Sequence, residues 1–117
     1  MLKGVVIMTK YEQLTADLKA AYENAKHVLD EVPETGSMNF DTAGVFLPRW
    51  AEEKVKKAAE DAGFYAIKFD GRFLGKTGYF TFSRACGIGD RRTAFAEAVT
   101  EELRKAGYDT YCFMETD

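Results

Sequence analysis

From Thr9 to Val32, apolar or small residues recur at Tyr11, Leu14, Leu18, Ala21, Ala25, Val28 and Val32, in alternating steps of three and four. That spacing lines one stripe of a helix and predicts an amphipathic helix over 9–32, stopped by Pro33. A turn-rich loop, Pro33 to Phe40, follows. Beyond it the period changes. Short apolar runs at Ala43–Leu47, Phe64–Phe69, Tyr79–Ser83 and Tyr108–Met114 read as strands. Two helical stretches lie among them: Arg49–Ala62, opening after Pro48, and Arg91–Ala106, capped by Asp90. One stretch occurs twice. Ala62-Gly63-Phe64 and Ala106-Gly107-Tyr108 each place a glycine where a helix needs a left-handed residue to end, with an aromatic opening the next strand.

The order after the first helix is strand, helix, strand, strand, helix, strand. Two such units sharing one antiparallel sheet make a ferredoxin-like β-α-β-β-α-β domain, α+β in class, with an additional long N-terminal helix. Right-handed crossovers put both inner helices on one face. The strands carry aromatics on both sides of the pleat, so the second face needs a cover from the N-terminal helix, a partner or a ligand, and the length of the helix makes it the leading candidate. The expected organisation is an N-terminal extension over 1–8 and a single domain over 9–117. Its parts are the helix at 9–32 and the two strand–helix units at 41–117. Met8-Thr9-Lys10 reads as a second start.

Composition narrows the function. A chain of 117 residues that is 46% hydrophobic is long and apolar enough for one buried core. A formal charge of −3 argues against gripping nucleic acid by bulk charge. Cys86 and Cys112 are too few for a disulfide framework and have no metal-ligand spacing, which favours a reducing, cytoplasmic setting. No run approaches the roughly 20 apolar residues of a membrane helix, so no membrane partner is expected. The sequence calls for no cofactor and no metal.

Candidate chemistry concentrates late in the chain. Gly71 to Thr77 looks like a phosphate-binding Walker loop but lacks its first glycine, because Asp70 stands there, and a strand rather than a helix follows. Gly78-Tyr79-Phe80-Thr81-Phe82 resembles the third-strand aromatics of RNA-recognition domains, which would imply base stacking. Phe80 stands where that motif wants a small residue, so core packing is the favoured reading. Between Asp70 and Arg92 there are five basic residues against two acidic ones. Arg72, Lys76, Arg84, Gly87, Gly89, Arg91 and Arg92 are therefore the candidate partner- or anion-binding residues, with glycine backbone amides and arginine forks as the donors. His27 is the only histidine, with no cysteine or serine beside it, and Cys86 has no resolving partner, so no catalytic residue is assigned.

The sequence thus predicts a small non-enzymatic binding module that acts by surface contact with a protein partner, as a monomer or homodimer. One version is a phage or mobile-element inhibitor, anti-CRISPR-like, whose acidic contact face of Glu12, Asp17, Glu23, Asp30 and Glu31 would enter a basic groove on a nucleic-acid-binding protein. The alternative is an anion, phosphate-ligand or single-strand nucleic-acid binding domain using the loop from Arg84 to Arg92. Nucleic acid is the less favoured partner.

Overall fold

The computed structural model describes residues 7–114, so six residues of the expected extension and the last three of the acidic tail lie outside the described residues. The elements are α1 (Lys10–Ala25), α2 (Val28–Glu31), β1 (Thr42–Phe46), α3 (Glu52–Asp61), β2 (Tyr65–Lys68), β3 (Tyr79–Ser83), α4 (Gly89–Lys105) and β4 (Thr110–Phe113). The class is α+β, with one four-stranded antiparallel sheet in the order β2-β3-β1-β4 and a long N-terminal helix. Among the described residues no helix is long and apolar enough to cross a membrane.

Both doubled glycine turns form as their sequence implies. Gly63 and Gly107 sit at φ 82° and 104°, a conformation that other residues adopt only with strain. Phe64 N donates to the Ala59 carbonyl and Gly63 N to that of Glu60; Tyr108 N donates to Leu103 and Gly107 N to Arg104. These are paired Schellman closures, which satisfy the last helical carbonyls and turn the chain straight into an edge strand.

Alternation along the strands sorts the two faces. Ala43 and Val45 of β1, Phe80 and Phe82 of β3 and Ala66 of β2 point to one side and join the core with Val55, Ala58 and Ala59 of α3 and Phe95, Val99 and Leu103 of α4. The N-terminal helix does not cover the other side, contrary to the sequence expectation. α1 packs against α3 and α4 instead, as a third layer on the same side. The small residues in both stripes explain this: Ala21 and Ala25 of α1, with Ala58 and Ala59 of α3, let helices approach closely, and Thr15 Oγ1 reaches the Ala58 carbonyl at 2.8 Å. Leu14 and Leu18 become fully buried, worth about 1.5–3 kcal/mol each. Tyr108 Oη donates to Asp17 at 2.6 Å, Asn24 Nδ2 to Glu102 at 2.9 Å, and Tyr22 stacks edge-on against Phe95.

Three boundaries differ from the sequence reading. The first helix is a capping-box helix from Thr9, closed by Glu12, but it breaks at Lys26–His27 before the single turn of α2. Pro48 does not open α3: Arg49 adopts φ 65°, and the chain makes a tight turn before Glu52, held where Ala51 N donates to Tyr11 Oη. Asp90 is not the cap of α4. Ile88 is, without a side-chain bond, and Asp90 in the first turn accepts from Thr35 Oγ1 at 2.7 Å.

Candidate functional site

With every helix on one side, the opposite face of the sheet is built from Thr42, Gly44 and Phe46 of β1, Tyr79, Thr81 and Ser83 of β3, Tyr65 and Ile67 of β2 and Tyr111 and Phe113 of β4. Phe69 continues β2, its N–H donating to the Tyr79 carbonyl at 2.8 Å. No residue of this face is charged, in a chain that is 30% Asp, Glu, Lys and Arg. Tyr65 is 67% exposed, Ile67 51% and Tyr111 42%.

One end of the face carries its own lid. The β2–β3 connection folds back as a small hairpin in which Phe73 N and Lys76 O, and Lys76 N and Phe73 O, bond at 2.8 and 3.0 Å. Leu74 at φ 53° and Gly75 at φ 75° form the turn between them, the left-handed pair that a two-residue hairpin needs. Phe73 is thereby laid over Phe113 (ring centroids 4.6 Å), Tyr111 (4.7 Å) and Tyr79 (5.5 Å), and Phe69 stacks on Phe113 at 5.6 Å. Tyr79 is left buried, and burial pushes its phenol above the ordinary value. Phe113 reaches this cluster only because β1 has a glycine beneath it. A Cβ on Gly44 would run into the Phe113 ring edge and lie 2.9 Å from the Tyr111 carbonyl oxygen.

The basic residues singled out in the sequence fall into two groups at opposite ends of β3. Arg72 and Lys76 belong to the hairpin: Arg72 donates to the Gly75 carbonyl at 3.4 Å, and Lys76 pairs with Asp109 at 3.2 Å while standing over the Phe46 ring. Arg84, Gly87, Gly89, Arg91 and Arg92 lie beyond the far end and are engaged by the chain itself. The Arg84 guanidinium lies 3.6 Å from the Tyr22 ring centre and bonds the Ala62 carbonyl. Arg92 Nε donates to the Asp41 carbonyl at 3.0 Å and Arg91 Nε to that of Val32 at 2.7 Å. The glycine loop does bind a carboxylate, and it comes from within. Glu34 accepts from Ile88 N at 3.0 Å and from Arg91 Nη1 at 3.2 Å, and its Oε2 lies 3.0 Å from where a Cβ on Gly87 would stand. Gly89 is closer still to its neighbours, since a Cβ there would strike the Thr35 backbone. Glu34 sits in a loop 54 residues upstream, so sequence order gave no signal of it.

The acidic helix residues are likewise partly engaged. Glu12 closes the capping box, Asp17 accepts from Gln13 and Tyr108, and Glu23 pairs with Lys26 at 2.6 Å; Asp30 and Glu31 are exposed on α2. Cys86 is buried and Cys112 half-buried, and in both, burial pushes the thiol up, away from the thiolate that nucleophilic chemistry needs. His27 is exposed at the break between α1 and α2. Among the described residues no cluster of His, Cys, Asp and Glu has the makings of a metal site.

Comparison with known protein families, with curated protein sequences and with solved structures finds no match to the chain.

Proposed function

We propose that the protein is a non-enzymatic binding module, and that a protein partner docks on the open face of its sheet. The observation that carries this reading is the uncharged face itself, four strands wide, with Tyr65, Ile67 and Tyr111 exposed on it. Apolar and aromatic surface of this kind, rimmed by polar residues, is what the centre of a protein interface presents. The strand order, with α3 and α4 as crossovers on one side, supports a ferredoxin-like plan to which α1 adds a third layer. The sheet face is favoured over the acidic helix face because Glu12, Asp17 and Glu23 already serve contacts within the chain. It is favoured over the Arg84–Arg92 loop because Glu34 fills that loop.

A photo-crosslinking residue placed at Tyr111 is expected to capture a discrete protein in cell extract. The same residue at Ala20, exposed on α1, is expected to capture none. Thr81→Arg, which puts a charge in mid-face, should abolish the capture, and raising the salt should barely change it, because an uncharged contact has little to screen. Capture from Ala20 in place of Tyr111, or a steep loss with salt, would refute the assignment.

A further inference from the structure

The two edges of the sheet differ. At the β4 edge the outward carbonyl of Thr110 accepts from Arg104 Nη2 at 3.4 Å. At the β2 edge nothing comparable occurs among the described residues. Phe69 N bonds to Tyr79, so Phe69, Ile67 and Tyr65 turn their backbone groups inward to β3, and by alternation Ala66 and Lys68 turn theirs outward, unpaired. The strand that carries these groups reads alike in both directions: Tyr65-Ala66-Ile67-Lys68-Phe69 is aromatic, helix-side, Ile, helix-side, aromatic. A two-fold interface requires that kind of self-complementarity.

We propose that the β2 edge is a self-association site at which a second copy of this chain adds its own β2 antiparallel, so that two four-stranded sheets become one. Pairing centred on Ile67 sets Ile67 against Ile67 and Tyr65 against Phe69 on the open face, the apolar cross-strand pairs that stabilise a ladder. Outward groups of Ala66 meet those of Lys68. On the helix side, Lys68 of each copy lies across from Ala66 of the other, beside a cleft of about 310 Å³ lined by Lys56, Glu60, Phe64, Tyr65 and Ala66. Lys56 is held by Glu52 at 2.9 Å, whereas Lys68 and Glu60 are exposed and make no ion pair among the described residues. The lysine stem fits along Phe64 and its ammonium meets Glu60, so the contact supplies opposite charges where a foreign strand would have to bring its own. Two short strands make a small interface, and the dimer is a weak one. The proposal goes beyond the partner reading and has its own test, through Lys68 and Glu60 rather than Thr81.

Sedimentation velocity between about 10 µM and about 1 mM, a range that brackets a weak interface, reads it directly. The wild-type chain is expected to shift reversibly from monomer to dimer. Lys68→Glu should weaken association about tenfold, and the pair Lys68→Glu with Glu60→Lys should restore it. Lys68→Pro, which deletes only an outward N–H, should be monomeric with an unchanged circular dichroism spectrum. Should that variant fail to fold, the charge exchange decides alone. A lysine on an edge strand can also serve to repel incoming strands; Lys68→Ala would then strengthen association, and that result overturns the proposal. So does a wild-type chain still monomeric at the highest concentration, or a double variant that is not restored.

Discussion

Gly44→Ala is the sharpest test of how the open face is held. At an ordinary strand position, replacing glycine by alanine is neutral or stabilising by about 0.4–1 kcal/mol, because it stiffens the unfolded chain. Gly44 is not in the left-handed region, so the backbone itself raises no objection. The objection is Phe113. Its ring lies where the new methyl would go, the Tyr111 carbonyl oxygen blocks the alternative at 2.9 Å, and β1 is fixed on both sides by β3 and β4. The ring must swing out, and it would leave Phe73, Phe69, Tyr79 and Tyr111 together. Overpacking costs about 1–3 kcal/mol, and each lost aromatic pair roughly 0.5 kcal/mol or more, so a net destabilisation of about 2–4 kcal/mol is expected. Urea unfolding followed by circular dichroism would measure it. The decisive comparison is a double-mutant cycle with Phe113→Ala: once the ring is gone only the Tyr111 carbonyl oxygen still crowds the methyl, so Gly44→Ala should cost markedly less in the Phe113→Ala background than in the wild-type chain. Additive losses, or a neutral Gly44→Ala, would show that Phe113 does not lie over β1 as described.

Glu34→Gln keeps the shape of the carboxylate but removes the charge that Ile88 N and Arg91 share; it should cost about 1–2 kcal/mol in thermal unfolding and make stability newly responsive to added sulfate, whereas a wild-type chain equally stabilised by sulfate would show that the loop is not filled from within. Tyr108 is held neutral above the ordinary phenol range by burial and by its bond to Asp17. The raised folded value means that the stability it contributes is complete below about pH 10, the unfolded value, and falls as pH rises beyond it. Ultraviolet titration should therefore show Tyr108 and Tyr79 ionising late, and Asp17→Asn should bring only the Tyr108 step to lower pH; a full complement of tyrosines titrating together near pH 10 would refute it.

Local features of the fold were legible in the chain because their causes are local. A glycine after the last helical turn, followed by an aromatic, specified both Schellman exits, and short apolar runs located all four strands to within two residues at either end. The start of the first helix is local too, because Thr9 and the Glu12 that closes its capping box lie three positions apart. What periodicity does not encode is which neighbour a stripe will meet. The stripe of Leu14, Leu18, Ala21 and Ala25 announced a buried face, but only the packing of α1 on both α3 and α4 decided that helices, not the bare side of the sheet, would bury it. The uncharged face was half visible, since strand aromatics on both sides of the pleat implied a second surface. Its lid was not, because Phe73 acts through a turn built on Leu74 and Gly75. Glu34 gave no signal and Arg84 was read as a donor for an outside anion for the same reason: the long-range partner of a charge in a loop is not written in its sequence neighbours.

The placing of α1 also bears on how the chain is made. During synthesis this helix precedes both of the helices it packs on, and the groove it enters is walled by α3 on one side and by α4 on the other, so it has nowhere to dock until Leu103 has emerged. Until then the stripe of Leu14 and Leu18 lacks the two helices that bury it in the folded chain.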